Sequence, residues 1–166
     1  LGQILDDSVT DLEVGAFCLA MRIKGETPEE MAGFLDAAHA RLNALPQLGQ
    51  QPTVVIPCYN GARNLPALAP LLALLLCQQG VRVCVHGTPT ENSRTTSFEV
   101  LEALGHKTLT AVDQAQAGLN LVPTEVLSPA LKKLLDVRRV VNLRNPAHSL
   151  VKLMYLLRVN SQQREQ

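Results

Sequence analysis

Residues Thr53 to Gly105 read TVVIPCYNGARNLPALAPLLALLLCQQGVRVCVHGTPTENSRTTSFEVLEALG. The β-branched run Thr53 to Ile56 stops at a loop of small and turn-forming residues, Pro57 to Asn64. An apolar helix then runs to about Gln79, a second strand covers Val81 to Val85, and a polar loop opens at His86-Gly87. That loop feeds another helix, which ends at Leu104-Gly105. Strand, loop and helix, twice over, is the pattern of a parallel α/β sheet, whose ligand sites lie beyond the C-terminal strand ends. Both loops fall there.

Upstream, the sequence turns helical. Thr10-x-x-Glu13 is a capping box, and its helix runs to about Lys24 before Gly25 ends it. Leu12, Ala16, Leu19, Ala20 and Ile23 form one apolar face at helical spacing. Thr27, Pro28 and Glu30 repeat the device for a second helix reaching about Leu42. Two short helices cannot bury their faces alone. The segments Pro129 to Val141 and Pro146 to Leu157 are the expected partners. Asn43 to Pro52, broken by Pro46 and Gly49, reads as a linker. The expectation is an α/β chain with a small N-terminal helical bundle domain, 1–45, and an incomplete parallel-sheet α/β domain, 53–166. Helices within 129–157 are expected to pack back on the helical domain.

The chain has 166 residues, 46% hydrophobic and 18% charged, which favours a packed core over disorder. Four cysteines without C-x-x-C spacing suit a reducing cytoplasm. The apolar run Leu65 to Cys77 is too short for a membrane span and holds two prolines, so no membrane contact is expected. The zero net charge hides an asymmetry. Residues 1–50 hold three Lys/Arg and eight Asp/Glu, whereas residues 121–166 hold eight and three. The basic set is Lys132, Lys133, Arg138, Arg139, Arg144, Lys152, Arg158 and Arg164, with His148 nearby. Such a face attracts phosphate backbones through counterion release. Alternatively, it neutralises the acidic helices, within the chain or across a dimer. At 3% aromatic residues there is no stacking platform for single strands.

Asn92, Ser93 and Arg94 could form an anion pocket at a helix start, with Arg63 joining from the first loop. An ordinary N-cap with a surface arginine is the simpler reading. Asn60, Gly61, His86 and Gly87 complete the expected anion site. Tyr59 could stack on a ligand ring or pack within its loop. Cys84 and His86 share a strand face near Cys58, but the set lacks a fourth ligand, so no metal site is expected. Nor is any catalytic residue assigned, since nothing orients a Cys-His pair.

Several of these segments resemble the anthranilate phosphoribosyltransferase (TrpD) superfamily, the glycosyltransferase family 3 fold. Gly80-Val-Arg-Val-Cys-Val-His86-Gly87, Asn92-Ser-Arg94 and Val100-Leu-Glu-Ala-Leu-Gly105 are similar to its GVKVAKHGNR, SSKSGSAD and VLEALG segments. Asp11-Leu-Glu-Val-Gly-Ala-Phe17 and Lys24-Gly-Glu-Thr-Pro-Glu-Glu-Met31 look like its helical domain, and Pro129-Ala130 and Val137-Arg138-Arg139 like its later helices. The resemblance implies that fold, a homodimer through the helical domain, and a longer parent chain of which this is a fragment.

The activity follows less directly. The family's phosphate loop GTGGD is matched here by Pro57-Cys58-Tyr59-Asn60-Gly61, where proline lacks an N–H and tyrosine obstructs close backbone approach. The polar positions of its N-x-S-T segment are Ala67, Ala69 and Pro70, and its H-P-A histidine is Ser128. Arg138 matches an arginine that contacts the aromatic acceptor. Ile56-Pro57-x-Tyr59-Asn60-Gly61-Ala62-Arg63, Val85-His86-Gly87 and Arg144-Asn145-Pro146-Ala147-His148 resemble the YbiB-like branch, which lacks the phosphoribosyl-pyrophosphate motifs and is associated with nucleic acid. The branch implies non-catalytic DNA binding of low sequence specificity through Lys132, Lys133, Arg138, Arg139, Arg144 and Lys152, with no cofactor. The alternative is a phosphoribosyl- or other glycosyltransferase with an altered donor, using magnesium and phosphoribosyl pyrophosphate. A third possibility is a dimerisation and docking module alone.

Overall fold

The structure, a computed structural model, describes residues 1–48, 51–62, 64–89 and 94–157. A short helix α1 (Gly2–Leu5) precedes α2 (Asp11–Lys24) and α3 (Pro28–His39). Both longer helices open on reciprocal capping boxes. The Thr10 hydroxyl accepts from the Glu13 N–H at 3.3 Å, and the Glu13 carboxylate accepts from the Thr10 N–H at 2.8 Å. Thr27 and Glu30 do the same at 3.2 and 3.0 Å. Gly25, with φ of 77°, ends α2. Helix α3 stops short of the expected Leu42. Asn43 is drawn away by its N–H donating to Leu127 O at 2.8 Å and its side-chain amide donating to Val126 O at 3.1 Å.

Burial on α2 reverses the expectation. The stripe Leu12, Ala16, Leu19, Ala20, Ile23 faces solvent, with Leu12 83% exposed. The inward face is Val14, Phe17, Cys18 and Met21, and Phe17 meets Phe34 of α3 edge-to-face at 6.0 Å. Both stripes are apolar, so periodicity alone identifies the helix without choosing its buried side.

The sheet has three parallel strands in the order β1 (Thr53–Cys58), β2 (Arg82–Gly87), β3 (Leu119–Pro123). Strand β3, not foreseen in the sequence, is a short run ending in proline. Strand β2 extends two residues past the expected Val85, so His86 and Gly87 belong to the strand and are buried. Helices α4 (Ala69–Gln78) and α5 (Ser97–Ala103) cover one face through Ala73, Phe98 and Leu101 against Val83, Val85 and Leu121. The other face carries Cys84 and Val122. It packs on α6 (Thr124–Leu127), α7 (Pro129–Val141), α8 (Ala147–Leu150) and the N-terminal helices.

Ser128 caps α7 by accepting from the Leu131 N–H at 3.2 Å. The buried Asn145 ties the α7–α8 turn, donating to Leu134 O at 2.7 Å and accepting from the Ala147 N–H at 3.1 Å. Helix α7 contacts α1 and α2, and α8 contacts α3. Linker residue Leu45 is buried and donates its N–H to Leu156 O at 2.8 Å.

Candidate functional site

The C-terminal ends of β1 and β2 come very close together. Cys58 lies opposite Gly87, and a Cβ on Gly87 would sit 2.1 Å from Cys58 O. The loops beyond are stitched to each other: Ala62 N–H donates to Thr95 O at 2.8 Å, and Thr95 N–H donates to Ala62 O at 3.1 Å. A Cβ on Gly61 would meet the Arg94 Cβ at 2.6 Å. Gly61 and Gly87, expected in a phosphate cradle, thus serve approach between loops and strands. Two of the backbone N–H groups that an anion could use are already consumed.

His86 and Tyr59 fill the space behind those loops. The Tyr59 hydroxyl lies 3.0 Å from His86 Nδ1, with the rings edge-to-face at 5.3 Å. The Thr124 hydroxyl lies 3.1 Å from the Tyr59 oxygen and donates to Gly87 O at 3.0 Å. Burial pushes the His86 imidazole down to about 4 and raises the Tyr59 phenol above its ordinary value. Both groups are therefore neutral near pH 7. His86 is thus not an exposed cationic loop residue ready for phosphate. It is one end of a neutral His86–Tyr59–Thr124 chain with the Tyr59 hydroxyl in the middle, and the packed alternative for Tyr59 is the one realised. The alternation of Cys84 and His86 on one strand face was legible; Thr124 as third member was not, because it arrives from the end of β3.

Of the remaining anion-site residues, Arg63, Asn92 and Ser93 lie outside the described residues. Arg94 is half-buried beside Gly61. It does not sit at the helix start, because the N-cap of α5 is Thr96. The Glu99 carboxylate accepts from the Thr96 N–H at 2.6 Å, putting a negative charge where an anion was expected. Asn60 is exposed and lines an open depression of about 420 Å³ with Gly61, Ala62, Asn64, Leu65, Pro66 and Ala67.

The basic residues are partly engaged. Lys133 lies 2.7 Å from Asp7 and 3.8 Å from Asp11. Lys132 pairs with Asp136, which also lies 3.3 Å from Arg139. Arg138 is half-buried, while Arg139, Arg144 and Lys152 are exposed. Arg158 and Arg164 lie outside the described residues. The link from α7 to Asp7 and Asp11 is the intrachain neutralisation that the charge asymmetry allowed. Among the described residues there is no cluster of three or more His, Cys, Asp or Glu able to hold a metal. The Cys84 thiol is pushed up to about 11 by burial.

Residues 1–41 match the glycosyl transferase family, helical bundle domain. Over 157 residues the chain is 38% identical to the uncharacterized protein YbiB of Escherichia coli K12, covering 91% of this chain and 49% of that protein. It is 32% identical over 139 residues to the anthranilate phosphoribosyltransferase of Dictyoglomus thermophilum, covering 80% and 41%. The chain belongs to the anthranilate phosphoribosyltransferase (TrpD) superfamily. Its fold matches the crystal structure of the anthranilate phosphoribosyltransferase of Thermus thermophilus with a TM-score of 0.75 at 23% identity, covering 92% of this chain and 49% of that one. The chain spans about half the length of the curated relatives it matches. Within the TrpD superfamily it is YbiB-like; in its own geometry Tyr59 packs at the strand ends and Ser128 caps a helix.

Proposed function

We propose that this chain belongs to a non-catalytic TrpD-superfamily protein that binds nucleic acid through phosphate contacts, with low sequence specificity. The observation that carries the reading is the neutral Tyr59–His86 pair packed at the strand ends. A phosphoribosyl transfer needs the leaving pyrophosphate held by donors and positive charge. At this end of the sheet stand a neutral Tyr59–His86 pair, mutually bonded loops and the Glu99 carboxylate. Exposed Lys133, Arg139, Arg144 and Lys152 supply the phosphate contacts, joined by Lys132 and Arg138. Their surface ion pairs are weak and screened by salt, so a phosphate backbone can displace them.

Fluorescence anisotropy with labelled oligonucleotides at low and moderate salt tests this reading. Affinity is expected to fall steeply with salt, and R139E and R144E to weaken binding and flatten the slope. Affinity indifferent to salt and to both substitutions counts against it.

The second reading is a glycosyl- or phosphoribosyltransferase with an altered donor. It draws on the relatives named anthranilate phosphoribosyltransferase and on Arg94 beside the strand ends. Calorimetric titration with phosphoribosyl pyrophosphate and magnesium separates the two, since saturable binding favours the transferase.

The solvent-facing α2 stripe of Leu12, Ala16, Leu19, Ala20 and Ile23 suits a homodimer through the helical domain. No helix among the described residues is long and apolar enough to cross a membrane. Cysteine usage supports a cytoplasmic setting.

A further inference from the structure

A cleft of about 320 Å³ opens between α2 and α7 in the helical part, and it shares no residue with the strand-end site. Val14 and Gly15 of α2 line one wall, and Leu134 and Val137 of α7 line the other. The charged side chains that line it are Asp7, Asp11, Lys133 and Asp136. Space of this size, mostly apolar with a few polar groups, is what a small organic ligand needs.

Gly15 makes the room. A Cβ added there would meet nothing within 4 Å, so no crowding calls for a glycine. Nor does the backbone, since Gly15 is not among the positive-φ glycines. Glycine weakens a helix interior relative to alanine. Its bare Cα leaves the cleft open. The charges, meanwhile, do not balance. Asp136 is paired with Lys132 and lies 3.3 Å from Arg139. Asp7 and Asp11 share a single cation, Lys133, at 2.7 and 3.8 Å. One negative charge is left over. It falls to Asp11, which is the more distant of the two and has a side chain 93% exposed.

We propose that this cleft binds a small monocationic amine with an apolar body, an aromatic ring or a branched alkyl group. The body lies against Val14, Gly15 and Val137, and the ammonium meets the Asp11 carboxylate. An anion of the same shape would face Asp7 and Asp11, with Lys133 already engaged by both. Neither Gly15 nor Asp11 belongs to the phosphate-contact set, so this inference and the nucleic-acid reading stand or fall separately.

The test titrates the whole isotope-labelled chain with phenethylamine hydrochloride and, in parallel, with sodium hydrocinnamate at equal ionic strength. The amide signals of Gly15 and Val137 are expected to shift saturably with the amine, in the millimolar range or tighter. The acid is expected to bind about tenfold more weakly. G15L fills the cleft and should abolish amine binding while melting no lower than the wild type, because leucine is the better helix former. D11N should weaken the amine by roughly threefold to tenfold without weakening the acid. Shifts that stay linear, equal affinity for amine and acid, or wild-type amine binding by G15L overturns the proposal. Should G15L fail to fold, D11N decides, and an unchanged affinity for the amine overturns it.

Discussion

At the scale of single residues, His86 sets the behaviour with pH. Its folded value of about 4 lies below the ordinary 6.5 because burial disfavours the imidazolium. As pH falls, the unfolded chain takes up this proton first. Stability is therefore complete above about pH 6.5 and is lost progressively towards pH 4, by about 3 kcal/mol in all. Urea unfolding across this window is expected to show the loss, and H86L to flatten it. The exposed carboxylates of Asp6, Glu13 and Glu30, lowered by hydrogen bonds, act at lower pH. A companion substitution, Y59F, removes the hydroxyl between His86 and Thr124 and is expected to cost about 1–2 kcal/mol by the same assay. The sequence shows a histidine after a β-branched run and so suggests a loop residue. Only the pairing of Cys58 with Gly87 carries the strand on and puts the imidazole inside.

At the scale of elements, local signals and long-range packing divide the work. The capping boxes at Thr10 and Thr27 need only residues three apart, and they were legible in full. T10A is expected to lower stability by about 1 kcal/mol in thermal or urea unfolding. The β1–β2 contact is the opposite case. G87A would place a methyl group 2.1 Å from a carbonyl oxygen of the neighbouring strand, backbone that cannot rotate away. Loss of cooperative unfolding by circular dichroism, or failure to accumulate folded protein, is the expected result; a normal melt would refute the close approach. Strand β3 is not legible in the sequence because a five-residue run ending in proline has little periodicity of its own. It is a strand because β2 offers it an edge.

At the scale of the whole molecule, the exposed α2 stripe is the main unsatisfied surface of the helical part. Leu12 and Ile23 are 83% and 78% exposed, a disposition that suits contact with a second copy. Sedimentation velocity is expected to give a dimer for the wild type and a monomer for L12K/I23E, with the fold retained because neither side chain is buried in the chain. A monomeric wild type would remove the dimer from the proposal. Charge is also arranged at this scale. Lys133 reaches back across more than a hundred residues to Asp7 and Asp11, so the basic C-terminal third meets the acidic N-terminal third within one chain. Any phosphate backbone must compete with those carboxylates, which adds to the expected salt sensitivity.

The sequence by itself determined helices α2 and α3 with their capping boxes, the strand-helix alternation from β1 to α5, the parallel α/β character and the superfamily, because these rest on residues close together or on motifs with fixed spacing. The tertiary structure decided which stripe of α2 is buried and that His86 is an interior residue tied to Tyr59 and Thr124. It also assigned Gly61 and Gly87 to close approach and opened the cleft between α2 and α7. Each depends on what another segment brings into contact. A residue's neighbours along the chain fix its local conformation, but solvent access and hydrogen-bond partners are set by segments tens of residues away.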